Sequence, residues 1–223
     1  AGEILRNDGD VETALAKAEI TVETTYRYPF ISHASIEPQN ATAWVKDGGI
    51  EIWAPTQNPE AGQKIVTEVL GIPKDKIRLH ITRSGGGFGR RLIPDYIIEA
   101  AAIAQRVNGP VKLTWTREDD FTRAKPRPLT AQHLIAAVNA QGRITGLQHR
   151  VTAEGIYARV LPPAFKAGGN KDTPVMEGSE GVYDFGGHLV QQCLEDRGIG
   201  CSFWRGVGPG YLKFSIETLI DEI

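Results

Sequence analysis

The sequence predicts an α+β fold. Three observations lead there. Segments that alternate apolar and polar residues, as half-buried strands do, stand beside segments whose apolar residues recur at helical spacing. The two kinds do not follow the strict strand–helix–strand order of a parallel α/β sheet. A strand, a glycine-containing loop and an apolar helix occur at 76–107 and again around 188–223, which points to two similar α+β subdomains.

The elements follow in chain order. Residues 41–54, "ATAWVKDGGIEIWA", read as a hairpin, because Asp-Gly-Gly supplies the positive φ of a tight turn between β-favouring flanks. Residues 58–71 read as a helix: Asn58 as N-cap, Pro59 in the first turn, Glu60 on the dipole, Gly71 at the end, and Ile65, Val66, Val69 and Leu70 on one face. "KIRLHIT" (76–82) alternates as a strand. After a glycine loop, 94–107 reads as a mostly buried helix. "VKLTWT" (111–116), "QHLIAAVN" (132–139), 144–155 and "HLVQQCL" (188–194) read as strands, with a turn at 139–143 between two of them. Residues 156–187 show no period and contain six glycines and three prolines, so a long irregular segment is expected there. An amphipathic helix over 211–223 closes the sequence.

Composition narrows the function classes. The 223 residues include 41% hydrophobic and 23% charged side chains, ordinary usage for a globular chain. A net charge of −2 gives no bulk attraction to nucleic acid or anionic lipid. No run approaches the ~18 apolar residues of a membrane span. The start, "AGEILRNDGD", has neither a basic onset nor an apolar stretch, and no initiator Met, so the sequence reads as a processed or excised piece of something longer. Localisation, cytoplasmic or periplasmic, stays open. Cys193 and Cys201 are not spaced as CxxC and cannot hold a four-thiolate cluster. The five histidines (His33, His80, His133, His149, His188) show no HxH or HxxxH spacing, so no protein-ligated metal site is expected.

The most informative stretch is "SGGGFGRR", residues 84–91, between a strand and a helix. That position lets backbone N–H groups and a helix dipole receive an anion, and bare glycines let the backbone come close to it. Arg90 after Gly89 excludes a P-loop, which ends in GK[ST]. "GGGFGR" lacks the third glycine of a dinucleotide fingerprint. A second glycine-rich turn, "WRGVGPG" (204–210), precedes the last helix, and Thr56-Gln57 precedes another.

Taken in order, His33 and Glu37 in "SHASIEP", Thr56-Gln57, Gly85 to Gly89, "TREDD" (116–120), "RGVG" (205–208) and Glu217 with Asp221-Glu222 resemble the large subunit of the molybdenum hydroxylases, the xanthine dehydrogenase and aldehyde oxidase family. The likeness in order and spacing covers nearly the whole chain. "GGGFGRR" and "WRGVGP" look most like the isoquinoline 1-oxidoreductase β-subunit branch. The resemblance implies a molybdenum–molybdopterin cofactor, in a dinucleotide form, held by its pterin dithiolene. It implies that Gln57 hydrogen-bonds the metal's apical oxo ligand. Gly86, Gly87, Phe88, Gly89 and Arg90 would line the cofactor, and Arg205 and Gly206 would contact its pterin side. Val207 and Leu92 would face a small-molecule substrate. Both are apolar where purine-oxidising relatives carry an aromatic and an acidic residue, which suits an N-heteroaromatic or an aldehyde. Arg127 falls near another active-site arginine of the family.

The family's catalytic glutamate, in a GVGE motif, has no counterpart; "GVGP" (206–209) belongs to the other loop. The resemblance therefore implies the first molybdopterin-binding region (1–223) of a longer oxidoreductase subunit, inactive alone and carrying little molybdenum. Its partners would be the C-terminal half of the same subunit and an iron–sulfur small subunit that takes the electrons. The alternative is a non-catalytic module whose glycine-rich loops bind an anionic ligand or a partner chain.

Overall fold

A computed structural model of the chain describes residues 2–223. In chain order the elements are β1 (Glu3–Asp8), α1 (Val11–Ala16), β2 (Ile20–Tyr28), β3 (Asn40–Lys46), β4 (Gly49–Ala54), α2 (Pro59–Leu70), β5 (Ile77–Ile81), α3 (Asp95–Ala104), β6 (Val111–Thr114), α4 (Arg117–Thr122), β7 (Thr130–Val138), β8 (Ile144–Ala153), α5 (Tyr157–Val160), α6 (Pro162–Ala167), α7 (Thr173–Met176), β9 (His188–Leu194) and α8 (Val207–Glu222). They form two compact units, one of Ser32–Lys125 and one of Ala1–Ile31 with Pro126–Ile223. The fold is α+β, as expected.

The unit Ser32–Lys125 has a four-stranded sheet in the order β5-β4-β3-β6, parallel only between β4 and β5. Asp47 (φ 53°) and Gly48 (φ 73°) make the hairpin turn between β3 and β4, both left-handed as a two-residue turn of this hand requires. Helix α2 is capped as expected: the Asn58 side chain accepts from the Ala61 N–H at 3.1 Å, Pro59 leads, and Gly71 (φ 70°) ends it. Ile50, Ile52 and Ala54 of β4 and Ala41 and Ala43 of β3 are buried beneath Val66 of α2 and Tyr96, Ile97, Ala100, Ala101 and Ala104 of α3. Full burial of a side chain such as Ile52 or Ile97 contributes about 1.5–3 kcal/mol.

The other unit has a five-stranded sheet in the order β1-β9-β8-β7-β2, again with one parallel pair, β8 with β9. Ile216 and Leu219 of α8 are buried with Leu134 and Leu147 of the sheet, and Leu212 with Val151 and Val190. Its interior also contains polar groups. The Gln132 Nε2 donates to the Tyr211 carbonyl at 3.2 Å, and the Gln132 Oε1 is 3.1 Å from the His149 Nε2. Burial pushes His149 down to about 3 and His188 to about 4.

Three readings change. Residues 156–187 are not wholly irregular: they hold α5, α6 and α7, each too short for a 3.6-residue period to register. Helix α8 begins at Val207, so Gly208 and Pro209, which read as loop, form its first turn. The elements β1, α1, β2 and α4 had no counterpart in the sequence reading, although α4 carries a capping box between Thr116 and Asp119.

Candidate functional site

The glycine loop leaves β5 after Ile81 and reaches α3 through a single 3-10 turn at Arg90–Leu92. Its shape depends on left-handed backbone at Gly86 (φ 102°), Phe88 (φ 54°) and Gly89 (φ 103°). For Phe88 that conformation is a strain that a bulky residue seldom bears. The Phe88 ring folds back over Gly86, where an added Cβ would lie 2.9 Å from the ring. At Gly87 the close neighbour is Gln57: a Cβ would lie 2.6 Å from its Oε1.

Gln57 sits between the end of β4 and the Asn58 cap of α2. Its backbone N–H donates to the Arg91 carbonyl at 3.1 Å. Its side-chain Oε1 accepts the Gly89 N–H at 3.0 Å. That contact fixes the carboxamide: the oxygen faces the loop, and the NH₂ is left to donate outward from an exposed side chain. Gln57 and Gly89, 32 residues apart in the sequence, are thus one structural feature.

The carbonyls of the loop point inward. Gly85 accepts from the Glu37 N–H, Gly87 from the Arg90 N–H and Gly89 from the Leu92 N–H. Gly86 accepts from both Ser84 Oγ and Arg91 Nε. The N–H groups of Gly86 and Gly87 donate to no group among the described residues. The loop therefore offers the Gly86 and Gly87 donors while its four glycine carbonyls are engaged, a surface suited to an anion or an oxygen-rich ligand.

The side chain of Arg90, expected at a cofactor, is paired with Asp95. Its guanidinium is 2% exposed, donates to both oxygens of Asp95 at 3.0 and 2.8 Å, and stacks 5.3 Å from the Trp115 ring. A buried bidentate pair needs its planar fork where it is, so the side chain braces the start of α3 instead of lining the loop. Arg91 is also buried, over Tyr96. Leu92 is half-buried.

In the other unit, Arg205 is exposed at the turn before α8. Gly206 (φ 94°) and Val207 (φ 42°) are both left-handed there, and the Val207 N–H donates to the Trp204 carbonyl at 2.7 Å. Gly208 is bare for another reason: a Cβ would lie 2.3 Å from the Glu177 carbonyl and 2.8 Å from that of Pro174. Arg127 lies between two rings, 5.1 Å from Tyr28 and 5.3 Å from Trp204, and donates to the Pro29 carbonyl. Burial lowers its pKa. Gln57, Gly86 to Gly89, Arg90 and Leu92 thus belong to one unit, and Arg205, Gly206 and Val207 to the other.

The family model for the molybdopterin cofactor-binding domain matches residues 2–223. The chain belongs to this family. It is 33% identical over 216 residues to the isoquinoline 1-oxidoreductase subunit beta of Brevundimonas diminuta, covering 96% of this chain and 28% of that protein. It is 31% identical to the membrane-bound aldehyde dehydrogenase (pyrroloquinoline-quinone) of Gluconacetobacter polyoxogenes, over 100% of this chain and 30% of that one. The chain therefore spans less than a third of the length of these curated relatives. The quinoline 2-oxidoreductase structure from Pseudomonas putida 86 shares the fold at a TM-score of 0.78 with 20% identity, covering 100% of this chain and 29% of that chain.

Two members of the molybdopterin-binding domain's loop system received no role from the sequence. Glu37 stood in the motif order without a contact, and Arg91 stood beside Arg90 without being told apart from it. The available signal was the doubled arginine after a glycine run, which cannot say which cation turns toward the loop. Among the described residues no three His, Cys, Asp or Glu side chains gather as a metal site, and no helix is long and apolar enough to cross a membrane.

Proposed function

We propose that the chain is the first cofactor-holding region of a molybdenum hydroxylase large subunit that oxidises N-heteroaromatics or aldehydes with water as the oxygen source. One observation carries this reading: the Gly89 N–H donates to the Gln57 Oε1 and leaves the carboxamide NH₂ as an outward donor beside a loop whose four glycine carbonyls are already bonded.

Bound there, the cofactor supplies a metal centre that takes two electrons while a carbon–hydrogen bond is replaced by a carbon–hydroxyl group derived from water, with two protons released. The chain's residues orient and bind. Gln57 would donate to an oxygen of the cofactor, and Gly86 and Gly87 would offer it backbone N–H groups. Arg205 is an exposed guanidinium, permanently charged and able to make several contacts on the pterin side. Leu92 and, in the other unit, Val207 are apolar residues, in keeping with an uncharged planar substrate. Arg90 holds the loop's exit through Asp95 and Trp115. The general base, the dinucleotide-side contacts and the iron–sulfur electron acceptor come from the rest of the subunit and from a small partner subunit.

The test is Gln57→Ala in the full-length subunit with its small partner. Turnover per bound molybdenum is expected to fall about tenfold to a thousandfold, because a donor matched to the transition state acts on rate. Molybdenum content should fall much less. Unchanged turnover per molybdenum removes Gln57 from the site, and a full-length subunit without molybdenum and pterin rejects the function.

A further inference from the structure

We propose that Arg91 and Glu37 form a positioning pair that turns the glycine loop's acceptors inward and sets its donors, with the Gln57 carboxamide, toward the cofactor. This rests on the molybdopterin reading above and assigns roles to two residues that reading does not use.

The Arg91 side chain is fully buried. Its Nε donates to the Gly86 carbonyl at 2.7 Å, its Nη1 to the Pro55 carbonyl at 3.3 Å, and its Nη2 to the Glu37 carbonyl at 2.9 Å and Glu37 Oε2 at 3.0 Å. Its own carbonyl accepts the Gln57 N–H at 3.1 Å and the Thr56 hydroxyl at 3.3 Å. One residue therefore holds the glycine loop with its side chain and the Gln57 segment with its backbone. Glu37 completes the frame. Its Oε2 also accepts the Gly85 N–H at 2.8 Å, and its N–H donates to the Gly85 carbonyl at 3.2 Å. Gly85 is bare to admit it: a Cβ there would lie 2.5 Å from the Glu37 Cβ.

The chemistry requires this residue type. Four acceptors in three directions match the guanidinium's planar fork; a lysine ammonium is a compact point charge and cannot span them. A buried cation with a single carboxylate is a poor device for stability, since desolvation offsets much of the attraction. What the pair secures is direction. With Gly85 and Gly86 carbonyls pinned behind the loop, the peptide planes that follow present their N–H groups on the opposite side, and the Gly89 N–H meets Gln57.

The experiment compares Arg91→Lys, Glu37→Gln, Gln57→Ala and the double variant Arg91→Lys/Gln57→Ala in the full-length subunit with its small partner. It measures turnover per bound molybdenum, molybdenum content, thermal midpoint, and deuterium uptake of the peptide spanning 84–89. Arg91→Lys is expected to lower turnover per molybdenum by about tenfold and to speed exchange in that peptide. Added to Gln57→Ala it should lower turnover by less than about twofold more, because groups acting through one contact are not additive. Glu37→Gln keeps an acceptor but not the charge and should show the same pattern more weakly; it decides the matter if Arg91→Lys does not accumulate folded. Wild-type turnover per molybdenum in both single variants, or full additivity with Gln57→Ala, overturns the pair while leaving the cofactor reading intact. Molybdenum absent from the wild-type subunit overturns both.

Discussion

The two glycine-rich turns share a local grammar and use their glycines for opposite purposes. Each follows the second strand of a parallel pair, each holds one non-glycine residue left-handed (Phe88 at φ 54°, Val207 at φ 42°), and each leads into a helix with one buried face. In the loop before α3 the clashing neighbour of Gly87 is the end of a flexible side chain, Gln57. In the turn before α8 the clashing neighbours of Gly208 are backbone carbonyls of Glu177, Pro174 and Val175. A side chain can step aside and a packed carbonyl cannot. Glycine therefore protects a functional contact in one turn and a packing contact in the other.

Substitutions can break this contrast. The largest effect is expected at Gly208→Ala, which should cost on the order of 3 kcal/mol and lower the thermal midpoint and folded yield. Acid is the next lever, and it acts on the same unit. His149 and His188 are held down to about 3 and about 4, below the ordinary value of 6.5. The unfolded chain binds protons at these rings before the folded unit does, so stability falls as pH drops from 6.5 toward 4. The slope reaches up to about 1.4 kcal/mol per pH unit for each ring. Denaturant midpoints across that range check it, and His149→Gln should flatten the curve.

Gly87→Ala should do the reverse of Gly208→Ala. Stability should stay within about 1 kcal/mol, as for a surface change. Displacing the Gln57 carboxamide should lower turnover per molybdenum about tenfold, as loss of one aimed donor does. Equal stability losses at Gly87 and Gly208 would erase the distinction. The smallest effect is at Gly206 (φ 94°), whose built Cβ meets nothing closer than 3.4 Å. Gly206→Ala should cost about 1 kcal/mol and Gly206→Asn less, because Asn tolerates left-handed backbone better; thermal midpoints rank the pair.

The sequence disclosed most where local chemistry decides structure. Asn58, Pro59 and Gly71 delimit α2, and Asp47-Gly48 makes a hairpin, because caps and turns are written in adjacent residues. The glycine loop was visible for the same reason. What the sequence did not disclose depends on long-range partners. Arg90 and Arg91 are neighbours of one type, yet Asp95 takes one and Glu37, Pro55 and Gly86 take the other. Helices α5 to α7 are single turns or little more, stabilised by packing that no periodicity announces.

Arg91 finally bears on the order in which this unit folds. Its acceptors at Pro55 and Glu37 lie 36 and 54 positions away along the chain. Bringing such distant segments together costs loop-closure entropy before any of these hydrogen bonds can form. Pairing of β4 with β5 and docking of α3 bring these segments together, so the donor face depends on the folding of the whole unit. A cofactor that reads this face binds the folded chain and not the unfolded one, and shifts the population toward the folded state by mass action.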